Sequence, residues 1–412
     1  MLPVPEPRIR AFEELGFGMF VHWGLYSQLG KGEWIQNAGN IPAVDYERLM
    51  DSFTASRFDG QALARMARHA GARYITLTTR HHEGFSLYDT RGLSTFDAPH
   101  SPAGRDLVRE FVEGCRAEGI IPFFYHTTLD WHDPRFHDDF KSYLRYLRES
   151  VEILCTEYGR IGGLWFDGNW SRPNDDWEED ALYRMIRRHQ PDAVIVNNTG
   201  LSERGVIGHP ELDSVTFEQG RPDPMDRRGM KKYVAAEMCQ TLNMHWGYGA
   251  QDLNYKSLAC LIETLCACRR AGANYLLNIG PDGEGGILPL QAALMTGIGD
   301  WIRATGDAVY YGRPCGVRGA GRDFALRRGD TLYFFVHDLS VTGDANVVPE
   351  GGGAGERTFT GMPGRVESVC WTDNGEPLAF RSEADTCTFS ATGYPYGTNL
   401  VVRIAEARLQ HA

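Results

Sequence analysis

Between residues 10 and 312 the chain alternates between two hydrophobic periods. Short runs that are apolar almost throughout, at 17–22, 74–78, 121–125, 163–167 and 193–196, alternate with longer stretches whose apolar positions recur every three or four residues. A strand covered on both faces shows no in-and-out alternation, whereas a helix lying on a sheet buries one stripe. The order therefore reads as parallel strands joined by helical crossovers. The stretch 59–70 carries Ala62, Leu63, Met66, Ala67 and Ala70 on one helical face and stops at Gly71, and 105–118 stops at Gly119. Glycine there accepts the left-handed conformation that ends a helix. Further helices are expected at 136–158, 177–189 and 289–305, with weaker strand signals at 215–217, 235–238 and 275–279. About eight strands in an α/β alternation predict a TIM-type (β/α)8-like barrel, complete or degenerate, over residues 1–312.

Past Tyr310-Tyr311-Gly312-Arg313-Pro314 the period changes to two. Short alternating runs at 331–337, 366–371 and 400–404 are separated by glycine-rich turns, Gly351-Gly352-Gly353 among them. These features predict a C-terminal antiparallel β-sandwich over 313–412. Neither a dinucleotide fingerprint nor a phosphate-binding loop occurs, so nucleotide chemistry has no support.

Charge and composition narrow the partners. The 42 basic and 54 acidic side chains leave a net charge of −12, which disfavours nucleic acid. No run approaches the roughly 18 apolar residues of a membrane span, and the first ten residues hold three prolines without an apolar signal core, so a soluble cytoplasmic protein is expected. Nine cysteines are present, and Cys260, Cys266 and Cys268 share one apolar helical pattern. They are read as buried thiols in a reducing compartment rather than as disulfides or zinc ligands.

In a barrel of this kind the reacting groups stand at the C-terminal strand ends. The run Gly163-Leu164-Trp165-Phe166-Asp167-Gly168-Asn169-Trp170 delivers a carboxylate to that end between two tryptophans. Asp167 is either a reacting group or the side chain that stabilises the turn at Gly168. Other strand ends carry His22-Trp23, His81-His82-Glu83 and Tyr125-His126, while Glu33-Trp34, Asp130-Trp131-His132, Glu218 and Trp246 lie in the adjoining loops. Aromatic faces beside neutral hydrogen-bonding groups suit a sugar ring, which is apolar on its C–H faces and polar at its hydroxyls. Paired carboxylates then match glycoside hydrolysis, one attacking the anomeric carbon and one protonating the leaving oxygen. A metal-dependent hydrolase is the alternative reading of His22, His81, His82, His126 and His132. Against it, neighbouring His81 and His82 would face opposite sides of an extended strand, and the first strand has no His-x-His pair.

The segments FGMFVHWGLYS (17–27), GEW (32–34), AGARYITLTTRHHEGF (70–85), FFYHTTLDWHDP (123–134), GGLWFDG (162–168), EMCQTLNMHWGY (237–248) and NYLLNIGPDGEG (274–285) resemble, in order, the α-L-fucosidases of glycoside hydrolase family 29. The resemblance implies a retaining, exo-acting fucosidase that needs no cofactor or metal, forms a covalent fucosyl-enzyme and can also transfer fucose to another sugar. It implies Asp167 as nucleophile. His22, Glu33, Trp34, His81, His82 and Tyr125 would hold the sugar, and Phe20, Trp165 and Trp246 would surround its methyl group. Glu218, in VTFEQGRP, is the first choice for the acid/base and Glu237, in AAEMC, the second. Many members carry Asn-Asp-Arg where this chain has Asn197-Asn198-Thr199, and Arg221 is the substitute for that arginine. A fucosylated glycan is the implied partner and a homo-oligomer the implied assembly. A fucose-binding protein without turnover is the competing reading from another class.

Overall fold

The computed structural model describes residues 3–199, 207–220, 222–339, 355–394 and 401–410. Eight parallel strands close into a barrel in chain order: β1 (Phe17–Val21), β2 (Tyr74–Arg80), β3 (Ile121–Thr127), β4 (Gly163–Asp167), β5 (Val194–Asn197), β6 (Ser214–Glu218), β7 (Ala235–Thr241) and β8 (Asn274–Ile279), the last pairing back onto β1. All of β1, β2, β5 and β8 is buried, which is why apolar residues do not alternate with exposed ones along these runs. The helices Gly60–His69, Leu107–Glu118 and Phe140–Thr156 each start at an aspartate, Asp59, Asp106 or Asp139, whose side chain accepts a backbone N–H of the first turn. The helix expected at 136–158 is in fact two, Arg135–Asp138 and Phe140–Thr156. Asp139 leaves the helical conformation (φ −147°) in order to cap the second, which hydrophobic periodicity does not register.

Inside the barrel, Phe20, Tyr74, Phe123, Tyr125, Trp165, Val194, Val196, Ala235, Cys239 and Leu276 pack with Ile9 and Phe12 of the helix Pro7–Glu13. Size alternates around the ring. A Cβ on Gly18 would stand 2.3 Å from the Tyr74 ring, and one on Gly163 would stand 2.5 Å from the Phe123 ring. The two glycines thus make room for the two rings on the central strands.

Compactness divides the chain into two bodies. The first holds all eight barrel strands, and the second comprises the helix Leu258–Ala271 with the chain beyond 297. The second body contains β9 (Arg313–Arg318), β10 (Phe324–Arg328), β11 (Thr331–Val336), β12 (Gly355–Thr360), β13 (Val366–Trp371), β14 (Phe380–Glu383), β15 (Thr386–Ala391) and β16 (Arg403–Leu409). They form an antiparallel sheet in the order β13-β16-β11-β10-β9-β12-β15-β14. It folds over on itself as a sandwich: the Phe334 ring on β11 stacks 4.2 Å from Phe359 on β12, although those strands are not hydrogen-bonded neighbours. Gly351-Gly352-Gly353, Leu400 and Arg221 lie outside the described residues. All nine thiols are free; Cys266 and Cys268 are buried as expected, but Cys260 is exposed because it falls on the outer side of its helix. Among the described residues no helix is long and apolar enough to cross a membrane.

Candidate active site

The pleat of the barrel strands decides what stands above the hydrophobic interior. Two positions beyond Phe20 comes His22, two beyond Trp165 comes Asp167, and two beyond Val196 comes Asn198. Because a strand repeats its facing every second residue, each interior aromatic or aliphatic residue is followed on the same side by a polar one. At the end of β4 the chain turns through Gly168 (φ +122°), where a Cβ would meet the Leu129 nitrogen at 2.5 Å, so only glycine fits. That turn returns Trp170 over the carboxylate of Asp167, and Trp170 Nε1–H donates to Oδ1 at 2.8 Å.

The strand ends surround a small cavity that opens at its mouth. Ten of the twelve sequence candidates line it: Phe20, His22, Trp34, His81, His82, Tyr125, Trp165, Asp167, Glu218 and Trp246. Trp170, Asn198 and Cys239 also line it. Asn198 and Cys239 were identifiable from the strand pleat alone, each being the next inward residue on its strand. Trp170 was visible as the second tryptophan bracketing Asp167 but was not assigned a contact.

Two candidates are placed elsewhere. Glu33 is buried beside the cavity, where its carboxylate accepts the Gly247 N–H at 2.8 Å and ties together the two loops that carry Trp34 and Trp246. Glu237 lies within the barrel, 1 % exposed, accepting Trp165 Nε1–H at 3.0 Å and the Tyr74 hydroxyl. Burial pushes its carboxyl up to about 7.

Asp167 accepts three side-chain donors: Trp170 at 2.8 Å, the Tyr125 hydroxyl at 3.2 Å and Asn198 Nδ2 at 3.4 Å. Burial raises it above the ordinary carboxylate range, while these donors and the neighbouring His81 work to lower it. The same Asn198 nitrogen donates to Glu218 Oε2 at 2.8 Å, so one amide joins the two carboxylates on the cavity wall.

The histidines are oriented from behind. Asn278 gives its N–H to the Trp246 carbonyl, which leaves its oxygen facing His22 Nδ1 at 2.6 Å and makes that nitrogen the donor. Thr127 donates its hydroxyl to the Leu129 carbonyl and so accepts from His82 Nδ1 at 2.7 Å. Burial, then the neighbouring imidazoles, hold His22 and His82 well below the usual histidine range. His81 and His82 occupy the irregular turn after Arg80, where their ring centroids lie 4.2 Å apart and both rings face the cavity. The opposite facing expected for an extended strand therefore does not apply. Among the described residues no three His, Cys, Asp or Glu side chains are arranged to hold a metal ion. The apolar side of the cavity is an edge-to-face cluster in which Phe20 meets Trp165 at 5.2 Å and Trp246 at 5.9 Å.

A profile of the alpha-L-fucosidase family matches residues 5–307. Tissue alpha-L-fucosidase of Rattus norvegicus is 26% identical over 409 residues, spanning 90% of this chain and 84% of that protein. The Homo sapiens tissue alpha-L-fucosidase is 28% identical over 338 residues, spanning 74% of this chain and 70% of that protein. Among solved structures, alpha-L-fucosidase isoenzyme 1 from Paenibacillus thiaminolyticus superposes with a TM-score of 0.84 at 30% identity, covering 98% of this chain and 99% of that one.

Proposed function

Since the chain belongs to the alpha-L-fucosidase family and is a glycoside hydrolase, we propose that it removes single terminal α-L-fucosyl groups from fucosylated glycans with retention of configuration. In the first step an oxygen of Asp167 forms a bond to C1 as the C1–O bond to the leaving sugar breaks, and Glu218 gives its proton to the departing oxygen. In the second, Glu218 as carboxylate takes a proton from water while the water oxygen bonds to C1, and Asp167 leaves as the free carboxylate. A sugar hydroxyl in place of water yields fucose transfer instead.

The shared amide of Asn198 carries this reading. Asp167 Oδ1 and Glu218 Oε2 cannot lie farther apart than hydrogen bonds of 3.4 Å and 2.8 Å laid end to end. Two carboxylates held by one amide fit the close spacing of retaining enzymes, which leave no room for a water between them. Glu218 reaches the cavity whereas Glu237 is occupied by Trp165 and Tyr74, which supports Glu218 as the acid/base. A small cavity walled by strand-end side chains supports exo action. Tyr125, held well above the usual phenol range by burial and by Asp167, stays protonated as a donor to the nucleophile. In this reading His22, His81, His82 and Trp34, which line the cavity, hold hydroxyls, and Phe20, Trp165 and Trp246 receive the sugar's methyl group.

Turnover of 4-nitrophenyl α-L-fucoside tests this, with and without EDTA. Asp167→Ala should lose about 10⁴-fold or more in kcat while remaining folded. Glu218→Gln should lose about 10²–10⁴-fold on a fucosylated disaccharide, less on the nitrophenyl substrate, and azide should restore turnover by capturing the fucosyl-enzyme. Full activity of Asp167→Ala, or an azide product of inverted configuration formed by Glu218→Gln, would refute the assignment.

A further inference from the structure

Three imidazoles crowd one wall of the site: His81 lies 5.6 Å from His22 and 4.2 Å from His82, centroid to centroid. In a buried cluster a proton on one ring disfavours protonation of its neighbours, so the set holds one charge in preference to two. The groups facing the rings decide where that charge resides. His22 faces the neutral amide of Asn278, and His82 faces the Thr127 hydroxyl on one side and Asp167 Oδ2, at 3.5 Å, on the other. His81 turns Nδ1 toward Glu83 Oε2, also at 3.5 Å.

The two carboxylates differ in what else they receive. Asp167 already has Trp170, Tyr125 and Asn198 as donors. Glu83 is 1 % exposed, and among the described residues neither of its oxygens has a hydrogen-bond partner. A buried carboxylate without a donor is strongly disfavoured, and His81 Nδ1 is the unpaired buried nitrogen beside it. The geometry points to Glu83, which does not itself line the cavity, as a positioning residue that places the cluster's proton on His81 and makes it the single imidazolium of the sugar site.

The remaining surroundings agree. His81 is otherwise packed by the rings of Tyr26 (5.4 Å) and Tyr125 (stacked, 5.6 Å). Burial first, and then neighbouring charges that include Glu83, hold Tyr26, Tyr46 and Tyr125 well above the usual phenol range, so none of them competes as an anion. A cation at His81 favours the ionised form of Asp167 and offers a charged donor to a sugar hydroxyl.

This inference rests on the fucosidase reading only for its effect on turnover, and the proton position is measured separately. Long-range proton–nitrogen NMR of 15N-histidine-labelled protein, with His81→Gln identifying the resonance, should show both His81 nitrogens protonated at pH 7 and a neutral ring in Glu83→Gln. With 4-nitrophenyl α-L-fucoside, Glu83→Gln should lose kcat/KM relative to the unaltered protein toward alkaline pH, so that the two pH profiles no longer superimpose. A neutral His81 in the unaltered protein, a cation on His82 instead, or superimposable pH profiles would overturn the inference. Should Glu83→Gln fail to fold, the spectrum of the unaltered protein decides: a cationic His81 upholds the inference and a neutral one refutes it. An inactive protein with a cationic His81 would count against the fucosidase reading and leave this one standing.

Discussion

Replacing Glu237 with glutamine should alter how stability depends on pH. Burial raises the Glu237 carboxyl from an ordinary 4.5 to about 7. Its folded form thus binds a proton more tightly than the unfolded chain does, and stability is greatest below the unfolded value. Stability then falls as pH rises from about 4.5 to about 7 and is level above that, because both states are then ionised. At about 1.4 kcal/mol per pH unit, the whole excursion amounts to about 3 kcal/mol for a side chain only 1 % exposed. Glutamine has the same shape. Its carbonyl can accept the Trp165 N–H, and its amide can donate to the Tyr74 oxygen, but it does not ionise. The stability of Glu237→Gln relative to the unaltered protein should therefore increase by about 3 kcal/mol between pH 4.5 and pH 7.5. Urea unfolding followed by tryptophan fluorescence at half-unit steps of pH measures this difference. A difference that stays constant across the range would show that Glu237 titrates normally and that the barrel interior does not hold it protonated.

Two further outcomes rest on contacts with defined geometry. Asn198→Ala removes the amide that Asp167 and Glu218 share; with that loss taken as one hydrogen bond to a charged group, about 1.5–3 kcal/mol, kcat/KM should fall by about tenfold to 150-fold, with thermal stability little changed. A loss below twofold would remove Asn198 from the site's machinery. Gly163→Ala puts a methyl group 2.5 Å from both the Phe123 ring and the Val194 carbonyl oxygen, and it should destabilise the barrel by about 1–3 kcal/mol in chemical denaturation. Unchanged stability would mean that the strand relaxes more freely than its burial implies.

Much of this architecture is legible from local pattern because the rules involved are local. Fully buried parallel strands are largely apolar without alternation, as 17–21 is, and helix ends need caps, as Asp59 and Gly119 provide. The single helix expected at 136–158 failed for the opposite reason: Asp139 caps instead of continuing, a choice made by backbone conformation rather than by hydrophobic period. In the same way, the pairing of His81 with His82 on one wall depends on β2, expected over 74–78, running on to Arg80 and the chain turning directly after it.

The sequence by itself determined the alternation of elements, the change of period beyond 312 and the end of the barrel at which polar residues gather, because each follows from spacings of two to four residues. Tertiary structure alone decided the separation of Glu218 from Glu237. Both are acidic residues on neighbouring strands, but one stands at a strand end beside Asn198 and the other one pleat deeper, between Tyr74 and Trp165. It also decided that Glu83 faces His81 without another partner. Depth in a closed barrel and the company of a buried charge arise from strands distant in the chain, through registers that no local pattern encodes.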